Sequence, residues 1–116
     1  MHEVSLALEV LDHLAHNVNG EGPLRIVRVT LRVGALSGVD SGALRFALEG
    51  LAAGTLIEGA RVDIEEIPGS AWCSACESRR PIEFRLSPCP VCGHYPLSLP
   101  EGTELVIESV DVAECS

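Results

Sequence analysis

From Val4 to Val18 the apolar positions Val4, Ala7, Leu8, Leu11, Leu14, Ala15 and Val18 recur at spacings of three and four, the stripe of an amphipathic helix. Asn19-Gly20 supplies a stop signal, because these residues readily take the left-handed conformation that ends a helix. The period then changes. After Gly22-Pro23, Val27, Val29, Leu31 and Val33 alternate with Arg28, Thr30 and Arg32, which predicts a half-buried strand. Gly34 to Gly38 reads as a turn, and Asp40 or Ser41 stands where a short polar side chain caps a second helix over roughly 41–53. That helix carries Leu44, Phe46, Ala47, Leu48 and Leu51 and stops at Gly54. Arg61-Val62-Asp63-Ile64-Glu65 alternates again until Pro68-Gly69, and a last strand is expected near 105–112. In that strand Val106, Val110 and Val112 share a parity with Glu108, so it needs a bulge or burial on both faces.

Between the last two strands, about 70–99, the periodicity fades, and this stretch holds four of the five cysteines. It reads as an insertion held by something other than an apolar core, carried at the tip of flanking strands that are expected to pair antiparallel. The 116 residues suit one main core with a small satellite. The fold class is α+β.

Composition narrows the function. Apolar residues make up 47% of the chain but only four aromatics occur, so the core is aliphatic. Eight basic against 17 acidic residues give a net charge of −9, which repels phosphate backbones and anionic membrane surfaces alike. Neither nucleic acid nor membrane is expected as a partner. Glu3, Glu9 and Asp12 interrupt any leader-like apolar run at the start, which points to a soluble, cytoplasmic protein. No Ser/His/acid grouping and no Gly-rich phosphate loop appears, so an enzyme is not expected.

Cys73-Ser-Ala-Cys76 and Cys89-Pro-Val-Cys92-Gly93 form a C-x2-C-x12-C-x2-C array. Two tight turns that each present a pair of thiolates complete a tetrahedral shell, the donor set of a structural zinc site. Iron in a rubredoxin-like site and two disulfides are the alternatives. A closed shell leaves no position for water or substrate, so its role is to fold the insertion. His94 follows the second pair and stands beside the site rather than in it; Cys115 reads as a free thiol near the terminus.

The chain opens Met1-His2-Glu3. The His2 imidazole, neighbouring backbone nitrogens and the terminal amine at Met1 lie in one short chelating segment, and nitrogen-rich sets favour Ni(II) or Cu(II) over zinc. By itself this is equally a solvated tail. Met1-His2-Glu3-Val-Ser-Leu-Ala, Val33-Gly34-Ala-Leu36-Ser37-Gly38-Val39, Thr55-Leu-Ile-Glu58-Gly59-Ala60 and the paired cysteines occur in this order. Together they resemble the HypA/HybF family of hydrogenase-maturation nickel chaperones.

The resemblance implies two helices packed on a three-stranded sheet as a nickel-binding domain, 1–69 and 100–116, with an inserted four-cysteine, zinc-ribbon-like module, 70–99. It implies a nickel metallochaperone that serves [NiFe]-hydrogenase, and in some members urease, with a nickel-handling GTPase and the hydrogenase large-subunit precursor as partners and a homodimer as an allowed assembly. Its nickel ligand falls on His2, with Glu3 as a supporting or direct ligand. Asp40 matches an acidic position connected with nickel in the family, although helix capping explains it equally well. Zinc falls on Cys73, Cys76, Cys89 and Cys92, and His94 matches flanking histidines suspected of transient ligation or pH sensing. Ala35 replaces the glutamate usual in the turn after the first strand. A zinc-ribbon interaction module without nickel transfer is the alternative reading.

Overall fold

The computed structural model describes residues 3–18 and 24–114. Met1, His2 and Cys115 lie outside the described residues. The elements are α1 (Glu3–Asn17), β1 (Leu24–Gly34), α2 (Ser41–Gly50), β2 (Arg61–Ile67), β3 (Ser70–Cys73), β4 (Ser78–Pro81), β5 (Ser98–Glu101) and β6 (Leu105–Glu114). They form two three-stranded sheets, ordered β2-β1-β6 and β4-β3-β5. The chain divides into two compact units, one of Met1–Leu31, Asp40–Glu65 and Val106–Ser116, the other of Arg32–Val39 and Glu66–Leu105.

In the first unit α1 packs against α2. The buried face of α1 is Ala7, Val10 and Leu14, at i, i+3 and i+7. Val4 and Leu8, which the sequence stripe placed on that face, are exposed. The stripe is wide enough to allow more than one rotation, and the one adopted puts Val10 inside. In α2, Leu44, Ala47 and Leu48 are buried while Phe46 is 79% exposed, in keeping with an aliphatic core. Each fully buried leucine here, Leu14, Leu44 and Leu48, contributes about 1.5–3 kcal/mol relative to the exposed state.

The segments expected to flank the insertion as a pair, β2 and β6, are not neighbours, because β1 lies between them. The reason lies in their side chains. β1 buries Ile26, Val29, Leu31 and Val33 to 2% exposure or less, whereas β2 buries Val62 and no described residue of β6 is fully buried. The most apolar strand therefore takes the centre, where both neighbours cover it. Its parity shifts at Val27, which is 40% exposed, so that Ile26 faces in. The expected slip in β6 is visible too: Ile107 and Val110 are half-buried while Val106, Glu108 and Val112 are exposed.

The second unit contains little apolar material. Its core cluster is Leu36, Ala71 and Ile82, with Leu97 packed against it. β3 is central and antiparallel to both neighbours, with Ala71 opposite Arg80 and Cys73 opposite Ser78 on the β4 side and Ser70 opposite Glu101 on the β5 side. Gly69 is a close-approach point: a Cβ there would lie 2.6 Å from Leu36 Cγ and 2.7 Å from the Ile82 carbonyl oxygen. The Ile82 N–H donates to the Gly69 carbonyl at 3.0 Å, which fixes that approach.

Candidate metal centres

Cys73 ends β3, and the turn at 74–77 brings Cys76 back beneath it. The Cys76 N–H donates to Cys73 Sγ at 3.4 Å. The second pair repeats the device, since the N–H groups of Val91 and Cys92 donate to Cys89 Sγ, each at 3.4 Å. The residue after each pair takes a left-handed conformation, Gly93 at φ 77° and Glu77 at φ 51°. Only the glycine announced such a turn in the sequence.

These two turns face each other. All four Sγ atoms lie within 4.8 Å of one another, with Cys73 and Cys92 at 3.6 Å and Cys76 and Cys89 at 3.9 Å. A tetrahedral ion with metal–sulfur bonds of about 2.3 Å requires sulfur–sulfur edges of about 3.8 Å, so the cluster fits zinc. All four cysteines are free, and these separations are far beyond a disulfide bond. Cys73 and Cys89 are buried, Cys76 is half-buried and Cys92 is exposed.

The sulfurs share charge unequally. The Cys89 thiol is pushed down to about 6, first by the donating N–H of Cys92 and then by that of Val91, against the opposing effect of burial. The backbone at His94 lowers Cys92, but hydrogen bonding with the Cys76 thiol and burial outweigh it and push Cys92 up to about 12. His94 stands beside the cluster and is not one of its four donors: Nε2 lies 3.2 Å from Ser74 Oγ, and the His94 carbonyl accepts from the Cys89 N–H at 2.9 Å. It thereby ties the second cysteine turn to the first.

A second constellation lies in the other unit. Glu3 opens α1, where a carboxylate complements the positive end of the helix. Its Oε2 accepts from the backbone N–H of Asp40 at 3.2 Å. Asp40 is the N-cap of α2, with φ −84° and ψ 108°, and its Oδ1 accepts from the Ala43 N–H at 3.0 Å. Glu3 and Asp40, 37 residues apart, therefore meet where the starts of the two helices come together. Beside them Glu3, Val4, Ala43, Phe46, Ala47, Gly50 and Leu51 line an open cleft of about 500 Å³. His2 and Met1 precede Glu3 in the chain but lie outside the described residues.

Residues 1–112 match the family described as hydrogenase/urease nickel incorporation, metallochaperone, hypA. The chain belongs to the HypA family. It is 41% identical over 112 residues to hydrogenase maturation factor HypA of Beijerinckia indica, a match that covers 97% of this chain and 99% of the relative. The corresponding factor of Chlorobium limicola is 42% identical over 114 residues, covering 98% of each chain. Among solved structures, the solution structure of the Ni metallochaperone HypA from Helicobacter pylori superimposes with a TM-score of 0.64 over 98% of this chain and 99% of that one. At 22% identity, that likeness shows a shared fold. The metals of the HypA family are nickel and a structural zinc in the four-cysteine cluster. No helix among the described residues is long and apolar enough to cross a membrane.

Two features escaped the sequence reading. The contact between Glu3 and Asp40 depends on how α1 meets α2, and nothing in either segment signals it. Ser78 and Arg80 sit on the cysteine-bearing face of the second sheet, but the four-residue strand Ser78–Pro81 has no apolar alternation to mark it as a strand.

Proposed function

We propose that this chain takes up Ni(II) at its amino terminus and delivers it during maturation of a [NiFe]-hydrogenase. The observation that carries the reading is the match of residues 1–112 to the nickel-incorporation family, whose description names urease beside hydrogenase. The His2 imidazole is the principal ligand, with Glu3 beside it and the terminal amine at Met1 within chelating reach. Asp40 acts mainly by capping α2 and by offering its N–H to Glu3, which anchors the root of the nickel segment. A few nitrogen donors in one short segment suit this task, because a donor that enclosed nickel on all sides would not release it. Partners follow from the role: a nickel-handling GTPase, the hydrogenase large-subunit precursor and a second copy of the chain, all in the cytoplasm. No catalytic group is assigned.

Residues 1–69 and 100–116 form the nickel-handling domain in this reading, and 70–99 the zinc domain. Zinc at Cys73, Cys76, Cys89 and Cys92 supplies cross-linking of a segment whose apolar core is too small to order it. His94 holds the two cysteine turns together. Calorimetric titration of Ni(II) into the zinc-loaded protein tests the proposal, beside His2→Ala and a form extended at its amino terminus. Binding of about one nickel per chain that is lost in both variants while zinc is retained is the expected result. Unchanged binding in both would move nickel elsewhere and favour a zinc-ribbon interaction module.

A further inference from the structure

Two buried side-chain polar atoms among the described residues have no hydrogen-bond partner, Ser78 Oγ and Arg80 Nε. Such atoms are costly, and each asks what it was placed to meet. Both belong to β4, two residues apart, and so project from the same side of the sheet. Their ladder partners identify that side. Arg80 lies opposite Ala71 and Ser78 opposite Cys73, and both of those residues are buried, at 2% and 0% exposure. This is the face that carries the four sulfurs.

The neighbouring arginine provides an internal comparison. Arg79 projects from the opposite face, where it donates to Ser70 Oγ at 3.1 Å and to the Leu99 carbonyl at 2.9 Å and pairs with Glu101 at 3.7 Å. Arg80 has no carboxylate partner among the described residues. Ladder register sets it instead beside Ser78 and one pair along from Cys73, on the side of the sheet where Cys73 places its sulfur. A divalent ion in four thiolates leaves a net charge of −2 in a half-buried site, and such a charge needs a counter-charge and donors.

We propose that Arg80, assisted by the Ser78 hydroxyl, is the charge-balancing partner of the four-cysteine metal site. Its guanidinium donates to the sulfur cluster when metal is bound, which strengthens metal retention and quiets the thiolates toward electrophiles. Arg80 is thus a positioning residue, acting on the metal through its ligands. The inference rests on the reading of the cluster as a metal site.

The test uses the full chain loaded with zinc or, as a spectroscopic substitute, Co(II). Competition with a chromophoric chelator at pH 7.5 gives zinc affinity for wild type, Arg80→Leu, Arg80→Lys and Ser78→Ala. The expected loss is about 10- to 100-fold for Arg80→Leu, the usual scale for removing a partner of metal ligands, with a smaller loss for the charge-keeping Arg80→Lys. In the Co(II) form the sulfur-to-metal charge-transfer band moves to lower energy in Arg80→Leu, because sulfur lone pairs relieved of N–H donors are easier to ionise. Should Arg80→Leu fail to fold, Arg80→Lys and Arg80→Gln replace it, and Lys must retain metal better than Gln. Affinity within about twofold of wild type together with an unmoved band overturns the proposal, as does an equal effect of Lys and Gln. A wild-type chain that takes up no Co(II) with a tetrathiolate spectrum overturns the metal reading and the proposal with it.

Discussion

Asp40 offers a clean separation between a structural role and a metal role, because its carboxylate is already engaged. Oδ1 accepts from the Ala43 N–H at 3.0 Å in N-cap geometry, and the Asp40 carbonyl accepts from the Leu44 N–H at 2.9 Å. Replacing an N-cap aspartate by alanine costs about 1 kcal/mol, whereas asparagine caps as well as aspartate does. Unfolding entropy of about 2.1 cal/mol/K per residue, over 116 residues, gives roughly 240 cal/mol/K. A loss of about 1 kcal/mol then lowers Tm by about 4 °C in Asp40→Ala, while Asp40→Asn stays within about 1 °C. The backbone N–H that Glu3 accepts from is present in both variants. Thermal unfolding of the zinc-loaded protein, paired with Ni(II) calorimetry, reads both roles at once. Asp40→Asn is expected to bind nickel within about twofold of wild type, because a neutral cap keeps the helix start in place. The reasoning is refuted by an Asp40→Asn variant of unchanged Tm that has lost tenfold or more in nickel affinity, since the carboxylate would then be a ligand. An unchanged Tm in Asp40→Ala would equally refute the cap.

Two further predictions concern the cysteine-bearing unit. Gly69→Ala forces a Cβ to 2.6 Å from Leu36 Cγ and 2.7 Å from the Ile82 carbonyl oxygen, so a destabilisation of about 2 kcal/mol or more is expected, read as a lower urea midpoint; a neutral outcome would show that this approach is not tight. Removing zinc with a chelator is expected to lower the urea midpoint of the cysteine-bearing unit, whose core cluster is only Leu36, Ala71 and Ile82, and an unchanged midpoint would contradict a metal that holds it.

What the sequence by itself determined is local. The two C-x2-C pairs needed no tertiary information, because each turn is built by its own four residues and tetrahedral sulfur chemistry leaves few other uses for such spacing. The capping of α2 by Asp40 and the change of period from helix to strand near Gly22-Pro23 were legible for the same reason: capping and periodicity act within a few residues. Tertiary structure decided whatever depends on which surfaces meet. Val4 and Leu8 stay exposed while Val10, outside the predicted stripe, is buried, a choice of rotation that the helix's own sequence leaves open. β1 separates β2 from β6 because it has more side chains to bury than either, a comparison among three strands that no single segment contains. The meeting of Glu3 with Asp40 depends on how the two helices come together and the face of Arg80 on the β3–β4 register, since a hydrogen bond 37 residues long in sequence or a face set by ladder register exists only once the elements are assembled.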